Sequence, residues 1–197
     1  PERIRRNACA AGHKAMFHPS WGGYPDAEFL ALFDGGALVR VRETLPDETV
    51  VISSPVGGLT AAWAAELGLP EGLPVAAGAL DAHLGAVGSG IRPGTMVQVL
   101  GTSACDLAVA PLENAPDDLP GVCGVVPESI LPGCLGIEAG QSAVGDIYHW
   151  FVHTIQPGGM DHEALNRAAA EQQPGESGLL ALDWHNGNRT VLIDPRF

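Results

Sequence analysis

Three short stretches of the chain place acidic or hydroxyl side chains where chemistry is possible. Asp81 closes the apolar run Pro74–Leu80 and opens the small-residue stretch Asp81-Ala82-His83. A carboxylate at a strand-to-helix corner is held firmly enough to act as a general base, and open α/β sheets put ligands at the carboxyl ends of their strands. The same position also suits a helix N-cap, whose carboxylate accepts backbone N–H bonds. Gly101-Thr102-Ser103 joins two β-like runs, and a glycine turn with two hydroxyls can aim backbone N–H groups at an anion. It matches neither a Walker A loop nor GxGxxG, so an ordinary hairpin turn is the competing reading. Glu138 lies in Gly136-Ile137-Glu138-Ala139-Gly140-Gln141, where a strand passes into a helix beside glycines that let a ligand approach; a solvated carboxylate is the alternative. Lys14, the only lysine in the chain, is either a ligand contact or a surface charge.

Metal and thiol chemistry have less support. His149 and His153 stand four apart, the spacing of a two-histidine metal site, but no HExxH glutamate accompanies them and they fall off the helix's apolar face. A solvated face is the expectation, and no metal ligand is assigned. His13 and His18 are read as lacking a companion Cys or Asp at ligand spacing. Cys9, Cys105, Cys123 and Cys134 form no CxxC pair and have no neighbouring base, which favours structural thiols.

The elements that must position these residues follow from punctuation and periodicity. Asp26 caps a short helix over 27–33 that Gly35-Gly36 ends. Val39–Val41 and Val50–Ile52 read as short β runs, and Thr60 opens a helix over 61–67 stopped by Gly68 and Pro70. Residues 74–80 read as a buried strand followed by a helix over 81–87. Residues 96–100 and 106–110 read as a hairpin around the 101–103 turn, and 111–121 as an acidic, proline-rich loop. Residues 122–126 and 133–137 are two more strands. Val144, Ile147, Tyr148, Phe151, Val152 and Ile155 fall on one helical face, with Ser142 or Asp146 in the first turn and Gln156–Gly159 ending the helix. A helix over 164–171 and strands over 179–182 and 190–193 complete the reading. Strands grouped ahead of helices favour a sheet with helices on its face.

Composition bounds the partners. The 197 residues carry 10 Lys and Arg against 23 Asp and Glu, a formal net charge of −13. Four of those basic residues lie beyond residue 50, too few for a nucleic-acid backbone footprint, so nucleic acid is excluded. No run approaches the roughly 18 apolar residues of a membrane span, and no leader opens the chain, so no membrane partner and a reduced cytoplasmic setting are expected. The chain starts at Pro1 without a Met and stops at Phe197 just after an apolar run, which reads as an internal piece of a longer protein.

Taken in order, residues 9–23 (CAAGHKAMFHPSWGG), 79–83 (ALDAH), 101–106 (GTSACD), Cys123-Gly124, 136–146 (GIEAGQSAVGD) and 183–190 (DWHNGNRT) resemble the ribulokinase branch of the FGGY carbohydrate kinases. The resemblance implies an α/β, actin-like ATPase (ribonuclease-H-like) fold in partial form. Residues 1–72 would be the end of the first, sugar-binding domain and residues 73–197 the start of the second, ATP-binding domain. It implies an ATP-dependent kinase that converts L-ribulose to L-ribulose 5-phosphate in L-arabinose degradation. Asp81 would be the catalytic base. Lys14, Glu138, Ala82, Gly140 and Gln141 would contact the sugar, and Gly101, Thr102 and Ser103 the ATP phosphates. Ala104 departs from a Gly-Thr-Ser-Thr-Cys pattern, a small change that leaves backbone contacts intact. ATP and Mg²⁺ are the implied cofactors. The Mg²⁺-serving phosphate loop and the adenine-holding segment are expected outside these residues, so the isolated chain should not turn over. Another FGGY kinase, for xylulose, glycerol or a related polyol, and a non-catalytic actin-like sugar- or nucleotide-binding protein are the rival readings. A homo-oligomer of the parent enzyme stays open.

Overall fold

The computed structural model describes residues 5–34, 36–114, 116, 119–194 and 196. In chain order the strands are β1 (Arg6–Asn7), β2 (Thr49–Val50), β3 (Pro55–Gly58), β4 (Pro74–Ala76), β5 (Met96–Leu100), β6 (Ala104–Pro111), β7 (Gly124–Pro127) and β8 (Cys134–Ala139). The helices are α1 (Ala8–Ala15), α2 (Ala27–Asp34), α3 (Ala37–Glu43), α4 (Ala61–Leu67), α5 (Asp81–Gly88), α6 (Gly145–Trp150) and α7 (His162–Ala170). β5, β6, β8 and β7 form a four-stranded sheet in that order, while β1–β2 and β3–β4 are two-stranded. Chain contacts group the protein into two compact units. One holds Pro1–Val97, Leu107–Leu119 and Gly124–Glu138; the other holds Gln98–Asp106, Pro120–Cys123 and Ala139–Phe197.

In the first unit, α1 is fixed at both ends by local chemistry. The Asn7 side chain accepts the Ala10 N–H at 2.6 Å, and Met16 closes the helix in the left-handed region. Asn7 also donates from its amide nitrogen to the Ala77 carbonyl at 3.2 Å, which ties α1 to the segment leading into α5. Gly12 lets α1 close onto β7, since a Cβ there would lie 2.3 Å from a Val126 methyl. Leu107, Ile130, His83, Cys9 and Ser129 are the largest fully buried side chains of this unit. β7 pairs antiparallel with β8 and sets Gly124 opposite Glu138. In the second unit, α6 runs on into a π-helical turn over Phe151–Ile155, and Gln156 in the left-handed region ends it.

Several expected elements form as read. Asp26 accepts the Phe29 N–H at 2.8 Å at the start of α2, Thr60 caps α4 and Gly68 closes it. Gly35, the other half of the expected stop for α2, lies outside the described residues, as do parts of the 111–121 loop (115, 117 and 118).

Other expectations are corrected. Residues 39–41 are helical within α3, because the Ala, Leu, Arg and Glu around the two valines favour helix and Gly36 supplies the start. β2 keeps only the first residue of the 50–52 run. Strand 74–80 shrinks to β4 and is exposed, in a two-stranded pairing whose partner β3 sets only Gly57 and Gly58 opposite Val75 and Pro74. Asp146, not Ser142, occupies the first turn of α6, and that helix's apolar face is largely exposed, with Tyr148, Phe151 and Ile155 open and Val152 buried. No strand forms over 179–182, where Leu180 is fully exposed, or over 190–193, where positive φ at Val191 and Ile193 breaks the extended run. Asn188 and Asp194 make a single bridge there instead.

Candidate active site

Glu138 sits in β8 and is 4% exposed, so the solvated alternative does not hold. Its Oε2 lies 3.3 Å from His13 Nδ1 and 3.4 Å from His83 Nε2. The two histidine rings meet as well, with their Nε2 atoms 3.1 Å apart and centroids 4.6 Å apart. One buried carboxylate thus joins α1 to α5, the helices that carry Lys14 and Asp81. Room for this contact comes from Gly124, the residue opposite Glu138, where a Cβ would stand 2.6 Å from His13 Nδ1.

Asp81 is the first residue of α5 and not its cap; that place belongs to Leu80, which has extended backbone angles. The exposed Asp81 carboxylate accepts the N–H of Ala82 at 2.9 Å, a local bond that fixes its direction at the helix start. Lys14 is exposed near the end of α1. Asp81, Ala82, Lys14 and Glu138 all belong to the first unit.

The remaining candidates belong to the second unit. Gly101 donates its N–H to the Ser103 carbonyl at 2.9 Å, closing the turn. The carbonyls of Gly101 and Thr102 accept from Gly145 and Val144 at 3.0 and 2.8 Å, so they are tied to the entrance of α6 while Thr102 is exposed. A Cβ at Gly145 would approach the Gly101 carbonyl to 2.5 Å. These bonds, with that of Ala104 N–H to the Gln141 carbonyl at 3.0 Å, hold the turn in place. Gly140 has φ +149, and its N–H and carbonyl both bond the Thr190 hydroxyl at 2.8 Å. Gly140 and Gln141 line a cleft of about 110 Å³ with Asp183, Trp184, Arg189 and Thr190.

The histidines and Cys9 are what sequence reading missed. Cys9 stands four residues before His13 on α1, so the reading that His13 lacks a companion cysteine is corrected. Cys9, His13 and His83 bring one ligand atom each to within 4.8 Å of one another. The i, i+4 spacing of Cys9 and His13 was visible, but the arrival of His83 from 70 residues away was not. Burial pushes the Cys9 thiol above its ordinary range and the negative charge of Glu138 adds to this; the Leu80 backbone and Lys14 oppose it.

The sequence model of the FGGY family of carbohydrate kinases, C-terminal domain, matches residues 96–197. The chain belongs to the FGGY family of carbohydrate kinases. Among similar proteins, the ribulokinase of Shouchella clausii (strain KSM-K16) is 46% identical over 202 residues, covering 97% of this chain and 35% of that protein. The ribulokinase of Vibrio parahaemolyticus serotype O3:K6 is 38% identical over 216 residues, covering 100% of this chain and 38% of that protein. The crystal structure of xylulose kinase from Rhodospirillum rubrum superposes with TM-score 0.62 at 28% identity, covering 77% of this chain and 31% of that one. This FGGY chain therefore spans a little over a third of the length of the curated relatives it matches. Its fold is the α/β, actin-like fold of FGGY sugar kinases. No helix among the described residues is long and apolar enough to cross a membrane.

Proposed function

We propose that the full-length protein carrying this chain is an ATP-dependent cytoplasmic kinase that phosphorylates L-ribulose on its terminal hydroxyl, in L-arabinose degradation. Residues 1–72 close its sugar-binding domain and residues 73–197 open its ATP-binding domain. The observation that carries the reading is the buried Glu138, 3.3 Å from His13 and 3.4 Å from His83, which links the helix bearing Lys14 to the helix bearing Asp81. A fixed carboxylate of this kind suits recognition of sugar hydroxyls, because its lone pairs accept their protons in a set direction.

In this mechanism Asp81 takes the proton of the terminal hydroxyl as that oxygen attacks the γ-phosphorus of ATP. The new O–P bond forms while the bond from the γ-phosphorus to the bridging oxygen breaks, and ADP leaves with that electron pair. Lys14, Glu138, Ala82, Gly140 and Gln141 orient the sugar, and the Gly101–Ser103 loop meets the phosphates. Phosphoryl transfer asks a protein mainly for alignment and charge neutralisation. Mg²⁺, when bound, neutralises phosphate charge, and its ligands are expected outside these residues.

Steady-state kinetics on the full-length protein test this. Asp81→Asn should lower kcat by about 10²–10⁴-fold, a barrier increase of roughly 3–5 kcal/mol. Glu138→Ala should raise KM for ribulose and leave KM for ATP little changed. Near-normal kcat in Asp81→Asn removes Asp81 from the mechanism, and equal damage to both KM values removes Glu138 from sugar binding. A higher kcat/KM for xylulose or glycerol than for either ribulose enantiomer would move the assignment to another FGGY substrate.

A further inference from the structure

We propose that Cys9, His13 and His83 form a binding site for Zn²⁺ that clamps α1 to α5. The donor atoms and their burial carry the site, and its outer partner Glu138 is the carboxylate that the proposed function also assigns to the sugar.

Cys9 and His13 are one helical turn apart and share a face of α1, while His83 comes from the first turn of α5. All three side chains are buried, His83 and Cys9 to 1% exposure. Zinc binds thiolate sulfur at about 2.3 Å and imidazole nitrogen at about 2.0–2.1 Å, which sets neighbouring donors of a tetrahedron roughly 3.3–3.6 Å apart. The His13 and His83 Nε2 atoms already stand 3.1 Å apart, and all three donors lie within 4.8 Å. The ion would replace the proton that the two nitrogens share, with little movement of the rings.

The surroundings also fit. A metal-bound histidine usually donates its other ring N–H to a carboxylate, which fixes the ring and raises its basicity. His13 offers Nε2 to the ion and has Nδ1 3.3 Å from Glu138 Oε2. A thiolate with two imidazoles is a donor set for zinc and not for Mg²⁺ or Ca²⁺, which take oxygen. The Cys9 thiolate and the Glu138 carboxylate together balance the two charges of the ion, so the buried group is neutral as a whole. Three protein ligands leave the fourth place to water.

The test uses the full-length protein stripped with a chelator and titrated with Zn²⁺ against an indicator, and with Co²⁺ followed by absorption. One equivalent of Zn²⁺ should bind, and Co²⁺ should give tetrahedral visible bands with a thiolate charge-transfer band. Cys9→Ser should abolish that band and weaken Zn²⁺ by at least tenfold, and Glu138→Gln should weaken it about 10–100-fold. Cys105→Ser serves as the control and should change neither. Circular dichroism checks that each variant folds, and the titration of the unmodified protein decides the matter even if Cys9→Ser does not. Absence of stoichiometric binding, a cobalt spectrum without the thiolate band, or a band that follows Cys105 would each overturn the site.

Discussion

Gly124→Ala should loosen the candidate sugar site without replacing any residue assigned to it. The added Cβ would lie 2.6 Å from His13 Nδ1 and 2.7 Å from Cε1, against ordinary contact beginning near 3.4 Å, so the ring must retreat by about 0.8 Å. The helix that carries the ring has no slack on this side, because Gly12 already rests on Val126. His13 must therefore turn, and its 3.3 Å contact with Glu138 opens. Overpacking of this kind typically costs about 1–3 kcal/mol, and the loss of the close His13–Glu138 contact adds to it. At roughly 2–4 °C per kcal/mol for a domain of this size, Tm should fall by about 5 °C or more.

Kinetics separate this from general damage. Glu138 freed from His13 should raise KM for ribulose by about tenfold, the value of ~1.4 kcal/mol, while KM for ATP stays within about twofold. Gly88→Ala is the control. Its Cβ meets nothing within 4 Å and its φ is ordinary, so Tm should hold or rise slightly. If Gly124→Ala melts within 1 °C of the parent, as measured by circular dichroism, and binds ribulose normally, the His13–Glu138 contact does not position the site.

Two further outcomes follow from other contacts. Gly140→Ala combines φ +149 with a Cβ 2.0 Å from the Ala104 carbonyl oxygen, and should lose at least ~3 kcal/mol in urea denaturation; a loss under ~1 kcal/mol would contradict the packing between β6 and the end of β8. Cys9, buried and with its thiol pushed up, should be the last of the four cysteines alkylated by iodoacetamide at pH 8, read by peptide mass spectrometry, and early labelling of Cys9 would contradict its burial.

Local signals were legible wherever one turn of chain decides the outcome. Thr60, Gly68 and Asp26 mark helix ends by their own side chain or lack of one, and each does so in the structure. The 101–103 turn was legible for the same reason. What depended on a distant partner was not. The run Val39–Val41 suited a strand, but the local helix preference wins. The apolar runs at 179–182 and 190–193 suited strands as well, yet two left-handed residues and one isolated bridge leave them irregular. At the site, Asp81 and Glu138 were singled out by their place at strand ends. His13 and His83 were not, because what makes them matter is a contact across 70 residues that neither residue's neighbours encode.

Glycine ties these observations together, for at four positions it is the missing side chain that brings candidate residues to their places. Gly12 lets α1 reach β7, and Gly124 then leaves space for His13 beside Glu138. Gly140 lets the end of β8 pass the Ala104 carbonyl, which puts its own backbone on Thr190 in the cleft. Gly145 lets the start of α6 take the Gly101 carbonyl, which holds the phosphate-loop candidate in its turn. In each case a methyl group would fall 2.0–2.6 Å from a neighbouring atom, too close for ordinary packing, and the neighbour either belongs to a candidate residue or supports one. The catalytic assignment names carboxylates and hydroxyls, but the positions of those groups depend on where the backbone can approach without a Cβ. Substitutions at these glycines are therefore expected to alter substrate affinity and stability together, unlike Asp81→Asn, which should alter kcat alone.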